Sequence, residues 1–209
     1  LNASSLNNQG AQAIIAGNSS ANLSVSGDIV NDGTIMGGSI TSNSNAFTNS
    51  GTGGVFGDVV TLNVNSLLNQ AATSTISGHT SLDMNIAGDI NNVGTLDGNT
   101  VTAYSNTFNN TGGVFGNDVT LNAATLNNTG NTAVIATTHA LNLIVSDTIN
   151  NTDGATLYSL GDLNAGASST LDADGYLSKN MVSFNNTSAT VQADGDLSIS
   201  ADKITNNRS

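Results

Sequence analysis

At 209 residues the chain suits one or two domains, and its composition is narrow: 33 Asn, 23 Gly, abundant Ser and Thr, and no Pro, Cys or Trp. All 15 acidic residues are Asp, set against Lys179, Lys203 and Arg208 alone, and the net charge of −12 excludes the Lys- and Arg-driven binding of nucleic acid or anionic lipid. Without cysteine there is no disulfide framework or thiolate metal site, and no run approaches the roughly 20 apolar residues of a membrane helix.

Polar, low-complexity chemistry of this kind often signals disorder. Here 37% of the residues are hydrophobic, and Leu, Ile and Val recur at regular spacing, which predicts a thin buried core. Taken in chain order, one anchor returns: an apolar residue, usually one polar residue, then Asn, one more residue and often Gly. It stands at Leu6-Asn7-Asn8-Gln9-Gly10, Ile29-Val30-Asn31-Asp32-Gly33 and Phe47-Thr48-Asn49-Ser50-Gly51. It returns at Leu67-Leu68-Asn69, Ile90-Asn91-Asn92-Val93-Gly94, Phe108-Asn109-Asn110-Thr111-Gly112 and Leu126-Asn127-Asn128-Thr129-Gly130. The last copies are Ile149-Asn150-Asn151, Phe184-Asn185-Asn186 and Ile204-Thr205-Asn206. Successive anchors are 23, 18, 20, 23, 18, 18, 23, 35 and 20 residues apart, and the gap of 35 reads as two coils with one anchor lost. A longer period of three coils overlies this one: Gly27-Asp28-Ile29 repeats as Gly88-Asp89-Ile90, and Gly54-Val55-Phe56-Gly57 as Gly113-Val114-Phe115-Gly116. Ala173-Asp174-Gly175 repeats as Ala193-Asp194-Gly195.

Between anchors the pattern alternates, as in Leu23 and Val25, or Leu82, Met84 and Ile86, which is the two-residue period of a strand with one buried face. Thr, Val and Ile suit strands, while Asn, Gly and Asp suit turns. Short alternating strands in a repeat of about twenty residues predict an all-β, right-handed parallel β-helix of ten to eleven coils, filling residues 1–209 as a single solenoid. Stacked coils place like over like. Asn8, Asn31, Asn49, Asn69, Asn92, Asn110, Asn128, Asn151, Asn186 and Asn206 are therefore expected to form a side-chain amide ladder, with the apolar residue before each pointing inward. Asn at these places also suits the left-handed backbone of tight turns. Open coils at the two ends would expose unpaired strand edges, so a monomer with a tendency to end-to-end association is expected.

With the anchors and the Gly-Asp-Leu turns in view, the chain resembles the filamentous haemagglutinin repeats of two-partner-secretion exoproteins. The nearest stretch runs from Asn185-Asn186-Thr187 through Val191-Gln192-Ala193-Asp194-Gly195-Asp196-Leu197-Ser198-Ile199 to Ile204-Thr205-Asn206-Asn207, and Gly-Asp followed by Leu or Ile also stands at residues 27–29, 88–90 and 161–163. The resemblance implies the shaft of a large filament, exported through an outer-membrane partner transporter and displayed on, or shed from, a Gram-negative cell. In such families the shaft serves adhesion to a host or bacterial receptor or glycan, or presents a distal toxin in contact-dependent growth inhibition. An autotransporter passenger shares the architecture. The chain begins at Leu1-Asn2-Ala3 without Met and stops just past an anchor, so it reads as a segment excised from a longer repeat region, with any export signal outside it.

No catalytic residue, cofactor or metal is expected. The contrary reading is a carbohydrate-active β-helix, a lyase or hydrolase working through Asp172, Asp174, Asp194 and Asp196, which coil stacking would bring together beside Lys179 and Lys203. The same four carboxylates are the calcium candidate, although the paired-glycine nonapeptide of calcium-binding β-rolls is absent. The plainer reading is two equivalent exposed Asp-Gly turns. His79 and His139 lie one residue out of register between long repeats, which predicts opposite faces of a strand and solvent exposure rather than a shared ligand role. The Gly-rich segments at 51–54 and 111–113 lack the Lys of a phosphate loop. Phe47, Phe56, Phe108 and Phe115 are expected to stack inside the core. Tyr104, Tyr158 and Tyr176 follow no repeat and are the residues left over for a partner or glycan.

Overall fold

The computed structural model describes residues 1–208 and bears out the solenoid. The described residues form strands and turns without a helix, and eighteen strands join in one sheet whose strand pairings are parallel. Each coil has three faces. A short face carries one inward residue, as in Ile35, Val55, Ile76, Leu96, Val114, Ile135 and Leu157. A long face carries two or three, as in Val119, Leu121 and Ala123 over Leu141, Leu143 and Val145. The anchor face carries the apolar anchor residue and then the ladder Asn. Within each face register between coils is kept, so Val60, Leu82, Val101, Val119, Leu141 and Leu163 form one inward column, fully buried. Parallel strands with one face inward leave alternate side chains outside, which is the alternation seen in the sequence.

The coil count is about ten, because the 35-residue gap is one coil. Asn151 stacks directly on Asn186 and Ile149 on Phe184. The excess residues leave the sheet as a hairpin between Gly166 and Met181, closed by the antiparallel bridge Leu171–Leu177. The unequal 18- and 23-residue spacings are absorbed at corners. The turn after the ladder Asn is tight at Asn31–Thr34 and longer at Asn69–Thr75, and register slips occur beside Gly57 and Gly78. At the corner after the short face, Gly17, Gly37, Gly57, Gly78, Gly98 and Gly116 stack in register. A Cβ there would press on the backbone, at 3.0 Å from the Gly17 carbonyl in the case of Gly37.

Two further expectations are corrected. Phe47 and Phe108 are buried on the anchor face, joined there by Phe184, but Phe56 and Phe115 point outward from the short face. Period two decides this: Val55 and Val114 face inward, so their neighbours face out. The ladder asparagines do not adopt the left-handed backbone. Among the described residues the non-glycine positions with positive φ are Asp153 and Ser188, and glycines such as Gly10, Gly51 and Gly130 take the left-handed turn position two residues past the ladder Asn.

Candidate functional site

The buried amide ladder is continuous. Asn8 donates from Nδ2 to Asn31 Oδ1 at 2.8 Å, Asn31 to Asn49 at 2.8 Å, Asn49 to Asn69 at 3.0 Å and Asn69 to Asn92 at 2.9 Å. The chain of donors continues from Asn92 through Asn110, Asn128, Asn151 and Asn186 to Asn206, every link at 2.8 Å. The second amide hydrogen goes to a backbone carbonyl at the turn, for example Asn92 to Gly113 at 3.0 Å and Asn151 to Thr190 at 2.8 Å. A buried carboxamide without partners would be costly; from Asn31 to Asn186 both hydrogens and the oxygen are satisfied, and the bonds polarise one another along the column.

A second ladder runs beside the first on the outer surface and is absent from the sequence reading. Asn109 donates to Asn91 at 2.9 Å, Asn127 to Asn109 at 2.8 Å, Asn150 to Asn127 at 2.8 Å and Asn185 to Asn150 at 3.0 Å. Its donors point toward the N-terminal end of the rod, whereas the buried donors point toward the C-terminal end. The two columns of amide dipoles therefore run antiparallel and offset each other's field. The Asn-Asn doublets at 91–92, 109–110, 127–128, 150–151 and 185–186 were the available signal. On the long face Asn85 donates to Asn63 and Asn63 to Asn43, and Tyr104 occupies the next position of that column, exposed.

The Asp cluster divides. Asp172 closes the projecting hairpin: its Oδ1 accepts from the backbone N–H of Asp174 and of Tyr176, each at 3.0 Å, and Gly175 supplies the positive φ. Asp194 and Asp196 lie on the last short corner, stacked over residues 159–161 and not over the hairpin, since Asp194 N–H donates to Ser159 and Gly195 N–H to Gly161. The expected coil-on-coil pairing of 173–175 with 193–195 is thus a likeness of two turns in different places. The two turns meet through Tyr176, which donates its hydroxyl to Asp196 at 3.4 Å, while Tyr158, on the short face one coil below, donates to Asp194 at 3.0 Å. Both phenols are raised above their ordinary value, Tyr158 chiefly by its bond to Asp194 and Tyr176 chiefly by the charge of Asp196. Among the described residues no three His, Asp or Glu side chains converge on a position fit for a metal ion. Lys179 and Lys203 are exposed.

The Gly-Asp-Leu/Ile motif serves as an inter-coil cap. Asp28 Oδ1 accepts from Asn45 at 2.8 Å and from the Ala46 N–H at 3.2 Å; Asp89 repeats this with Asn106 and Thr107. Asp162 does the same for the Asp196 N–H at 2.9 Å, but at a different corner, because Leu163 begins the long face whereas Ile29 and Ile90 lie on the anchor face. His79 and His139 are both exposed, and both fall within the corner slip between short and long faces, so one residue of offset does not turn them to opposite strand faces. His139 Nδ1 lies 2.6 Å from Asp118 Oδ1, and that bond raises its pKa above the ordinary 6.5.

The outer residues of the short face remain. Phe56 and Phe115 are 43% and 38% exposed, and between them lies an open groove of about 590 Å³. No protein-family model, curated protein or solved structure matches the chain.

Proposed function

We propose that the chain is a non-catalytic shaft segment of a secreted bacterial surface filament, exported through an outer-membrane partner and used for adhesion or for carrying a distal toxin. The observation that supports this reading is the buried amide ladder, unbroken from Asn8 to Asn206. Each coil offers the next a matching amide, a matching apolar anchor and a parallel strand edge, so coils can be added without changing any existing bond. A protein whose length is its product has this construction: reach grows by about 4.8 Å per coil, and the described coils give a rod on the order of 45 Å. A surface that is acidic and free of Lys and Arg up to residue 178 also keeps such a rod soluble beside an anionic cell envelope.

Antibody raised against the 209-residue chain and applied to intact cells of the source bacterium tests the location. Labelling of unbroken cells or recovery from the medium, lost when the outer-membrane partner is deleted, is the expected result. Labelling only after lysis sinks the reading.

A further inference from the structure

The short face carries a row of outward side chains in strict register. Phe56 stacks below Ser77, Ser77 below Asp97, and Asp97 below Phe115; two coils further on the same row is Tyr158. Both phenylalanines lie flat. A Cβ at Gly54 would collide with Cε2 of the Phe56 ring and sit 2.8 Å from its Cζ, and Gly113 stands in the same relation to Phe115. Thr holds the Gly54 position on neighbouring coils, at Thr34, Thr75 and Thr95, so glycine occurs where a ring must lie down and its outer face must stay bare. Tyr158 is fixed by its bond to Asp194. Between the rings the floor is polar: Ser77 donates to Asp97 Oδ2 at 3.0 Å, and His79 and Asn99 line the edge.

We propose that this row is a binding site for an uncharged polysaccharide chain lying along the rod. Pyranose rings present an apolar C–H face that stacks on an aromatic ring, and hydroxyl edges that bond to carboxylate, hydroxyl, amide and imidazole groups. The row offers those two chemistries in alternation on one rigid sheet. Phe56 and Phe115 are three coil steps apart, about 14 Å, which leaves the floor between them for sugar hydroxyls facing Ser77 and Asp97. A site built on sheet backbone needs no ordering on binding, which favours weak, repeated contacts. Charge selects the ligand class: Asp97 and the lack of any Lys or Arg before residue 179 repel uronic, sialylated or sulfated glycans. The site goes beyond the shaft reading and does not rest on it, since it is tested on purified protein and the shaft reading on cells.

Native gels containing hydroxyethylcellulose, galactomannan or laminarin, with alginate as the acidic comparison, test the proposal. At least one neutral polymer should retard the wild-type chain, and alginate should not. Phe115→Ala should weaken the retardation about tenfold, and Phe56→Ala with Phe115→Ala should abolish it while thermal unfolding by circular dichroism stays that of the wild type. Asp97→Ala, which removes the polar floor and leaves both rings, should weaken it too. The proposal is overturned if no neutral polymer retards the wild type, if the folded double variant is retarded equally, or if alginate binds best. It is also overturned if the wild type sediments as a dimer that the double variant splits, because the row would then be a contact between two copies.

Discussion

From Asn8 to Asn151 the rod repeats itself, and from Leu160 onward it does not. In the first region the inward columns are closed on both sides: Ile29, Leu67, Ile90, Leu126 and Ile149 are fully buried, and each ladder amide from Asn31 to Asn151 has a neighbour above and below. In the second the chain loops out between Gly166 and Met181, and the inward residues of the last coil, Leu197 and Ile204, are 51% and 56% exposed. Lys179, Lys203 and Arg208 all fall in this second region. Yet the ladder crosses the insertion without a change in length, Asn151 to Asn186 at 2.8 Å as elsewhere. Coil closure is set by side chains that meet across coils, so residues added at a corner cost little provided the chain returns to the same position.

The largest effect expected from this comparison is at mid-ladder. Asn110→Ala removes the bonds from Asn92, to Asn128 and to the Gly112 carbonyl, all inside a closed column. At about 1 kcal/mol for each bond, with buried partners left unsatisfied, the loss is about 3 kcal/mol or more. Asn206→Ala removes only the bond from Asn186, at an exposed end where water replaces it, and costs less than about 1 kcal/mol. Asn109→Ala, in the half-buried outer ladder, should fall between them. Urea unfolding followed by circular dichroism measures all three, and because solenoid stability sums over neighbouring coils, the Asn110 variant should also unfold in two steps. Equal losses at residues 110 and 206 would show that the ladder contributes nothing beyond its exposed bonds.

The hairpin should be separable from the rod. Residues 169–175 form an exposed run, whereas the coil is closed behind them by the Asn151–Asn186 bond. A protease that cuts before Asp should therefore cleave first at Asp172 or Asp174. The nicked chain should stay assembled, with a free energy of unfolding lowered by about 1 kcal/mol or less, the usual scale for a surface change. A first cut within residues 8–151, or dissociation after the cut, would show that the hairpin holds the coil shut.

How far the sequence could be read follows the same division. The anchor asparagines were legible because a position that must match its copy above and below leaves a periodic trace, and every ladder pairing except that of Asn151 with Asn186 was identifiable from spacing. Phe56 and Phe115 were misplaced because repetition says only that two residues are equivalent. The parity of Val55 and Val114 within the strand says which way they point, and that signal was present. The 35-residue gap was misread because an anchor spacing records contour length and not closure. The outer ladder was legible in the Asn-Asn doublets and was passed over, whereas the place of Tyr104 in the column of Asn85 follows only once the corner lengths are fixed.

Two buried hydroxyls inside the regular region, those of Ser42 and Ser105, have no hydrogen-bond partner. Ser42 is fully buried in the inward column between Leu23 and Leu62, and its hydroxyl has no partner. Ser42→Ala removes an unsatisfied buried group and should raise stability by about 1 kcal/mol in the same unfolding experiment. A loss of stability would mean that the hydroxyl has a bonding partner in solution.

The smallest effect belongs to the exposed corner where His139 meets Asp118. The bond, and next the charge of Asp118, favour the protonated ring, so its folded-state pKa lies above 6.5. A pKa raised on folding gives a contribution that is fully present below the unfolded value and is lost as pH rises through the folded one. Stability should therefore decline slightly as pH rises through neutrality from below 6.5, and less so at high salt, because the pair is open to solvent. Proton NMR of the two imidazoles reads this directly. The His139 titration should lie above the ordinary histidine value and return to it in Asp118→Asn, with no change in the unfolding midpoint measured above pH 9. A midpoint that still falls at that pH would place the contribution in the packing of the corner and not in the proton.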